Sequence, residues 1–247
     1  MLVLAVAITV LPGLVWLWIF YQTDVYEPEP RSYVLGTFAL GALAVVPAFL
    51  LERALGRALP WLDLGRSAHL VPVLAGCFLV IGPVEEICKF LVVRTTIYRH
   101  PEFDEPLDGI IYAAAAALGF ATLENVLYVV DFAHGGRVRW ELLALRSLLA
   151  LPGHVIFSST WGYALGRRRF DAKFPVVRLL LAAACLHAAY DFVLIYPPAR
   201  PAIPLLLAAM VPLIIRQVRE LKQRSPFAPG HHPAAPAARV ARDGDAT

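Results

Sequence analysis

"LVPVLAGCFLVIGPVEEICKFLVV", residues 70–93, is apolar along nearly its whole length, and Glu85, Glu86 and Lys89 are its charged residues. A helix crosses a bilayer with about 20 predominantly apolar residues, so the stretch is long enough to span. Each charge at the bilayer centre costs about 2.5–3.5 kcal/mol on insertion scales. A spanning helix that keeps three of them therefore needs partners on other helices.

Outward from this stretch, six further apolar blocks appear. The expected spans are 2–21, 33–51, 70–98, 107–130, 141–165, 175–196 and 202–216. The chain is 59% hydrophobic and 17% charged, whereas a soluble domain runs nearer 45–50% and about 25%. The fold class is an all-α polytopic transmembrane bundle of about seven spans. Residues 1–216 form the membrane domain. Residues 217–247, which end in the Pro/Ala-rich "SPFAPGHHPAAPAARVARDGDAT", read as a disordered cytoplasmic tail. His231 and His232 in that tail read as solvated. The first span lacks a basic lead-in and a cleavage site, so it reads as a retained anchor.

The net charge of +3 is small and the basic residues cluster at span ends, which argues against a nucleic-acid partner. "GRRRFDAKFPVVR", residues 166–178, and "RQVRELKQR", residues 216–224, are the most basic segments. Seven spans put them on one face. The positive-inside rule makes that face cytoplasmic and the N-terminus external, although Arg53, Arg57 and Arg66 lie on the other side. Cys77, Cys88 and Cys185 all fall within spans, and an odd number of such thiols gives no disulfide framework. Pro83 and Pro152 are expected to bend or break the third and fifth spans. Asp108 reads as a helix N-cap, and Arg94 and Arg99 as interface-seeking side chains.

Four spans carry polar groups near their middles: Glu85, Glu86 and Lys89; Glu124 and Asn125; His154; His187 and Asp191. Lipid does not solvate them, so they are expected to face inward and meet in one chamber. Glu85 and Lys89, four apart, share a helix face. Glu86 is turned about 100° from Glu85, so one carboxylate is expected to serve as anchor and the other to stay free for chemistry. His187 and Asp191 are also four apart, and the carboxylate would orient the imidazole. Phe120 and Glu124 share a face with Ala113, Ala117 and Ala121, small residues that permit close helix approach.

Each element has a bland reading too: a buried ion pair, a packing histidine, an interhelical hydrogen bond. Their conjunction favours a reactive centre, and three chemistries fit it. A glutamate can take a proton from water that attacks a peptide carbonyl, with a histidine serving the oxyanion or leaving group. Alternatively His154, His187, Glu86 and Glu124 can hold a divalent metal such as zinc, although the H-E-x-x-H spacing is absent. The same groups could relay protons in a transporter, but no duplicated halves are visible. A non-catalytic scaffold is the remaining class.

In these residues the sequence resembles the PrsW family of intramembrane proteases, a group related to the CAAX-processing type II prenyl endopeptidases. Four blocks carry the resemblance in order: E-E-x-x-K at Glu85–Lys89, F-A-x-x-E-N at Phe120–Asn125, G-H-x-x-F-S at Gly153–Ser158 and H-A-x-x-D at His187–Asp191. A further acidic, proline-containing loop, "YQTDVYEPEPRS" at residues 21–32, is similar to one that follows the family's first span. Ala113 departs conservatively from an expected glycine. The resemblance implies a bacterial inner-membrane endopeptidase that cuts membrane-anchored protein substrates, in the best-known case an anti-sigma factor. It implies catalytic roles for Glu85, Glu86, Glu124, His154 and His187, supported by Lys89, Phe120, Asn125 and Asp191. Kinship with the glutamate-type prenyl endopeptidases favours a mechanism without a cofactor, and a metal is the alternative.

Overall fold

The computed structural model describes residues 2–62, 69–134 and 140–229. Within them all regular elements are helices: α1 (Leu2–Tyr21), α2 (Arg31–Leu43), α3 (Val45–Ala58), α4 (Leu70–Gly76), α5 (Gly82–Thr96), α6 (Asp108–His134), α7 (Trp140–Phe170), α8 (Val176–Ile195) and α9 (Ile203–Gln223), with short π- and 3-10 stretches at Cys77–Ile81 and Pro197–Ala202. Six helical stretches are long and apolar enough to cross a membrane: Arg31–Ala58, Leu70–Thr96, Asp108–Tyr128, Trp140–Phe170, Val176–Ile195 and Pro197–Gln223. Thr9–Tyr21 of α1 is a seventh, shorter apolar helix. The expected bundle is therefore observed, and the chain is an integral membrane protein. Leu35, Leu50, Leu79, Leu148, Leu181 and Leu205 are exposed on its outside, where lipid would meet them.

α6 is the central element. Of its apolar window 78% is buried, against 33% for α8 and 18% for the last span. "AAAAALG", residues 113–119, lets α2 and α7 approach it closely. A methyl group on Gly162 of α7 would sit 2.5 Å from the Gly109 carbonyl oxygen of α6. Such contact leaves no room for a side chain and fixes the register of α7 against α6.

The two prolines act differently from each other. Before Pro83 the helix widens into a single π-helical stretch, Cys77–Ile81, and α5 restarts at Gly82. A π-bulge shifts the faces of the helix that follows and is frequent at functional sites. Here it separates α4 from the segment bearing the charges. Pro152, expected to interrupt its span, lies inside an unbroken α7. Asp108 is the first residue of α6, and its Oδ2 accepts from the backbone N–H of Glu105 upstream at 2.8 Å. It thus ties the preceding loop to the helix rather than capping the first turn.

The last helix continues past the expected end at 216 as far as Gln223, with Leu221 and Ser225 buried. Ser225 donates to Glu105, Arg167 to Glu220 and Arg169 to the Phe103 carbonyl. These contacts place the loop before α6, the end of α7 and the end of α9 together at one end of the bundle. His231, His232 and Arg66 lie outside the described residues.

Gly82 brings α5 onto α8, since a methyl there would come within 2.5 Å of the Ala184 carbonyl oxygen. Overpacking of this kind typically costs about 1–3 kcal/mol. Gly82→Val should accordingly lower the thermal unfolding midpoint in detergent by several degrees. An unchanged midpoint would show that α5 and α8 are not in backbone contact there.

Candidate active site

The charges of α5 do find their partners. Glu86 has no exposed surface, and each of its oxygens takes two donors. Oε1 accepts from Lys89 Nζ at 2.7 Å and from His187 Nδ1 at 2.9 Å. Oε2 accepts from Ser158 Oγ and from Trp161 Nε1, both at 2.8 Å. One carboxylate thus links α5, α7 and α8, and its lone pairs are fully used. Of the two roles expected for the adjacent glutamates, Glu86 takes that of the anchor.

Glu85 is the other. It is buried, and its Oε2 has no hydrogen-bond partner among the described residues. That oxygen lies 3.3 Å from Lys89 Nζ, 3.6 Å from His187 Nε2 and 3.9 Å from His154 Nδ1. Lys89 therefore touches both glutamates, with the shorter contact three residues away and the longer one four away. Its ammonium also sits 4.5 Å over the Phe120 ring.

The histidine protons follow from their neighbours. An ionised carboxylate only accepts and an ammonium only donates. Hence His187 Nδ1 donates to Glu86, leaving Nε2 facing Glu85 and, at 3.4 Å, Asp191. The tautomer is set by Glu86 rather than by Asp191, the partner that spacing alone suggests. His154 Nδ1 accepts from Lys89 at 3.0 Å, so its proton is on Nε2, 3.3 Å from Glu124 Oε2. The two imidazole rings lie 4.8 Å apart, edge to face.

Glu124 also pairs with Arg146 at 2.9 Å, and Asn125 Oδ1 accepts from Arg146 Nε at 2.7 Å. A cavity of about 260 Å³ opens beside these groups, and its walls include Phe49, Glu52, Glu85, Phe120, Glu124 and Tyr128. All nine predicted site residues thus stand on the four expected helices, around one chamber.

Three participants escaped the sequence reading. Trp161 and Arg146 share a face of α7 with His154 and Ser158, since 146, 150, 154, 158 and 161 follow helical spacing. That periodicity could have found them. Glu52, half-buried in α3, sits near a span end, where a carboxylate ordinarily meets water; nothing local marks it.

Glu85, His154 and His187 offer ligand atoms within 4.8 Å of one another, a 2-His/carboxylate combination that zinc accepts. A metal-binding histidine usually donates its other N–H to a carboxylate, as His187 does to Glu86. By type and spacing the residues fit. The set differs from the expected one, since Glu86 is committed to four protein donors and Glu124 to Arg146.

Residues 29–216 match the family model of the PrsW family intramembrane metalloprotease. The chain belongs to the PrsW family of intramembrane proteases. It is 36% identical over 189 residues to Protease PrsW of Geobacillus kaustophilus, covering 75% of this chain and 77% of that relative. It is 35% identical over 187 residues to Protease PrsW of Bacillus subtilis, covering 74% and 79%. Protease PrsW of Clostridioides difficile is 32% identical over 198 residues, covering 78% and 79%. No solved structure matches the chain. The matched region contains every residue of the chamber and excludes α1 and the last seven residues of α9.

Breaking a buried ion pair by deleting one partner costs about 3–5 kcal/mol, because the other charge is left unpaired. Lys89→Met should destabilise the protein by that order in denaturant titration. Adding Glu86→Gln should recover part of the loss. A double variant no more stable than Lys89→Met would show that the two charges are not coupled.

Proposed function

We propose that the chain is an intramembrane endopeptidase in which Glu85 activates the water that attacks a peptide bond of a membrane-anchored protein. The observation that carries the proposal is the contrast between the two glutamates. Glu86 has its four donors, whereas Glu85 Oε2, in a longer ion pair with Lys89, accepts no hydrogen bond among the described residues and lies between two imidazoles. Membership of the PrsW family weighs for peptide hydrolysis over proton relay.

In this reading Glu85 removes a proton from water, and the water oxygen bonds to the scissile carbonyl carbon. Charge develops on the carbonyl oxygen, and the Lys89 ammonium is the nearby donor that can meet it. Collapse breaks the C–N bond, and the proton on Glu85 passes to the leaving amine. Glu86 acts through His187, holding its ring so that Nε2 faces the same space. Glu124, fixed by Arg146, keeps His154 oriented. The cavity beside Glu85 is the route by which a substrate segment reaches the site.

A second reading is favoured by the 2-His/carboxylate set itself. Glu85, His154 and His187 would hold a divalent ion, which when bound lowers the pKa of a coordinated water and polarises the carbonyl. Against it, Lys89 Nζ already stands 3.0 Å from His154 Nδ1 and 3.3 Å from Glu85 Oε2, so an added cation would meet a positive charge at two of three donors.

The clustered bundle end described above supports one orientation. Arg167, Arg168, Arg169, Lys173, Arg216, Arg219, Lys222 and Arg224 lie in or beside it, so we infer that this end is cytoplasmic, with the N-terminus outside, in a bacterial inner membrane. An anti-sigma factor is one substrate of the expected class.

Loss of a general base lowers rate by about 10²–10⁴-fold. Glu85→Gln should reduce cleavage of a membrane-anchored reporter in proteoliposomes by that order while leaving the unfolding midpoint near wild type. Full activity in Glu85→Gln would remove it as the base. Metal content of the active, purified protein separates the two readings: activity that survives a chelator supports the first, and chelator loss restored by zinc supports the second.

A further inference from the structure

A second group of buried carboxylates lies away from the chamber, at the bundle end where the loop before α6 meets the end of α9. Asp24 follows α1, Glu29 precedes α2, Glu105 lies in the loop before α6, and Asp108 begins that helix. All four are at most 3% exposed. None makes an ion pair with Lys, Arg or His among the described residues. Lys222 pulls on Asp24 electrostatically without pairing with it. Four buried acids without a paired cation are costly to keep, because desolvation of each charge is uncompensated.

The protein supplies some hydrogen bonds. Tyr112 donates to Glu29 Oε2 at 2.5 Å, the Glu105 N–H donates to Asp108 Oδ2, and Ser225 donates to Glu105 Oε2. Five buried oxygens meet no donor at full hydrogen-bond geometry among the described residues: both of Asp24, Oε1 of Glu29, Oε1 of Glu105 and Oδ1 of Asp108. Asp24 is 97% buried and no donor among the described residues meets either of its oxygens at full hydrogen-bond geometry, although the Tyr26 and Glu27 backbone N–H groups and the Glu105 carboxyl approach it. Donor oxygens of Asp24, Glu105 and Asp108 lie within 4.8 Å of one another. Two oxygens bound to one calcium at 2.3–2.6 Å can be separated by up to about 5 Å, and two bound to magnesium at 2.0–2.1 Å by about 4 Å.

We propose that Asp24, Glu105 and Asp108, with Glu29 beside them, bind a hard divalent cation of the calcium or magnesium class. The donors are all oxygen, which suits these ions and sets the site apart from the nitrogen-containing chamber. Burial raises the carboxyl groups of Asp24, Glu29 and Glu105 above the ordinary range, as expected where their charge is uncompensated. The ion would join the segment after α1 to the start of α6 and, through Glu105 and Ser225, to the end of α9. Three parts of the chain far apart in sequence would be stapled at one end of the bundle. This proposal is independent of the reading of the chamber.

The test is equilibrium binding of Ca²⁺ and, separately, Mg²⁺ to the full-length detergent-purified protein after chelator treatment, with the unfolding midpoint read in parallel. The expected result is saturable binding of one ion per chain and a midpoint raised by several degrees. Asp24→Asn and Glu105→Gln should each weaken binding by at least about ten-fold, a loss that even second-sphere changes can cause at metal sites. The His154→Ala/His187→Ala protein should bind as wild type does, which distinguishes this site from the chamber. The arm that saturates at lower concentration identifies the ion. Absence of saturable binding of either ion to the wild-type protein would overturn the proposal, as would undiminished binding in both carboxylate variants.

Discussion

The carboxylate of Glu86 is the constraint on which the rest of the structure depends. Removed from water and lipid alike, it is tolerable only because an ammonium, an imidazole, a hydroxyl and an indole N–H all point at it. A buried charge that lost one of these would become strongly destabilising. α5, α7 and α8 are therefore held in one relative placement by electrostatics as well as by packing. Close backbone contacts at Gly82 and Gly162 make that placement sterically attainable. The catalytic geometry proposed for Glu85 is a by-product of its neighbour's satisfaction. Glu85 is carried to the chamber by the same helix, on a face where no donor completes it.

Much of this was legible in the chain. Hydropathy marked the spans because a bilayer demands long apolar helices. Charged and imidazole groups inside them marked the chamber, since lipid leaves such groups no alternative but each other. Helical spacing correctly paired Glu85 with Lys89 and His187 with Asp191. It could not tell which glutamate was the anchor, because that depends on Ser158 and Trp161 arriving from α7. The role of Glu86 in orienting His187 was hidden for the same reason: the two residues are distant in sequence and meet only through tertiary packing.

Other features were misread for local reasons. Proline in a span announces a lost hydrogen bond, but whether the helix breaks depends on what surrounds it; α7 runs on through Pro152, whereas a π-helical stretch precedes Pro83. Asp108 has the residue type of an N-cap, yet it bonds backward to Glu105 and belongs to a buried acidic group. The last helix outruns its apolar segment because Leu221 and Ser225 pack onto the loop before α6, a contact that hydropathy does not register.

Nitrogen-15 NMR of histidine-labelled protein tests the central claim most directly, by locating the ring proton of His187. The account predicts a proton on Nδ1, shifted downfield, slow to exchange with water, and lost as a distinct signal in Glu86→Gln. A His187 ring protonated only on Nε2, or one whose Nδ1 proton exchanges freely with solvent, would contradict it.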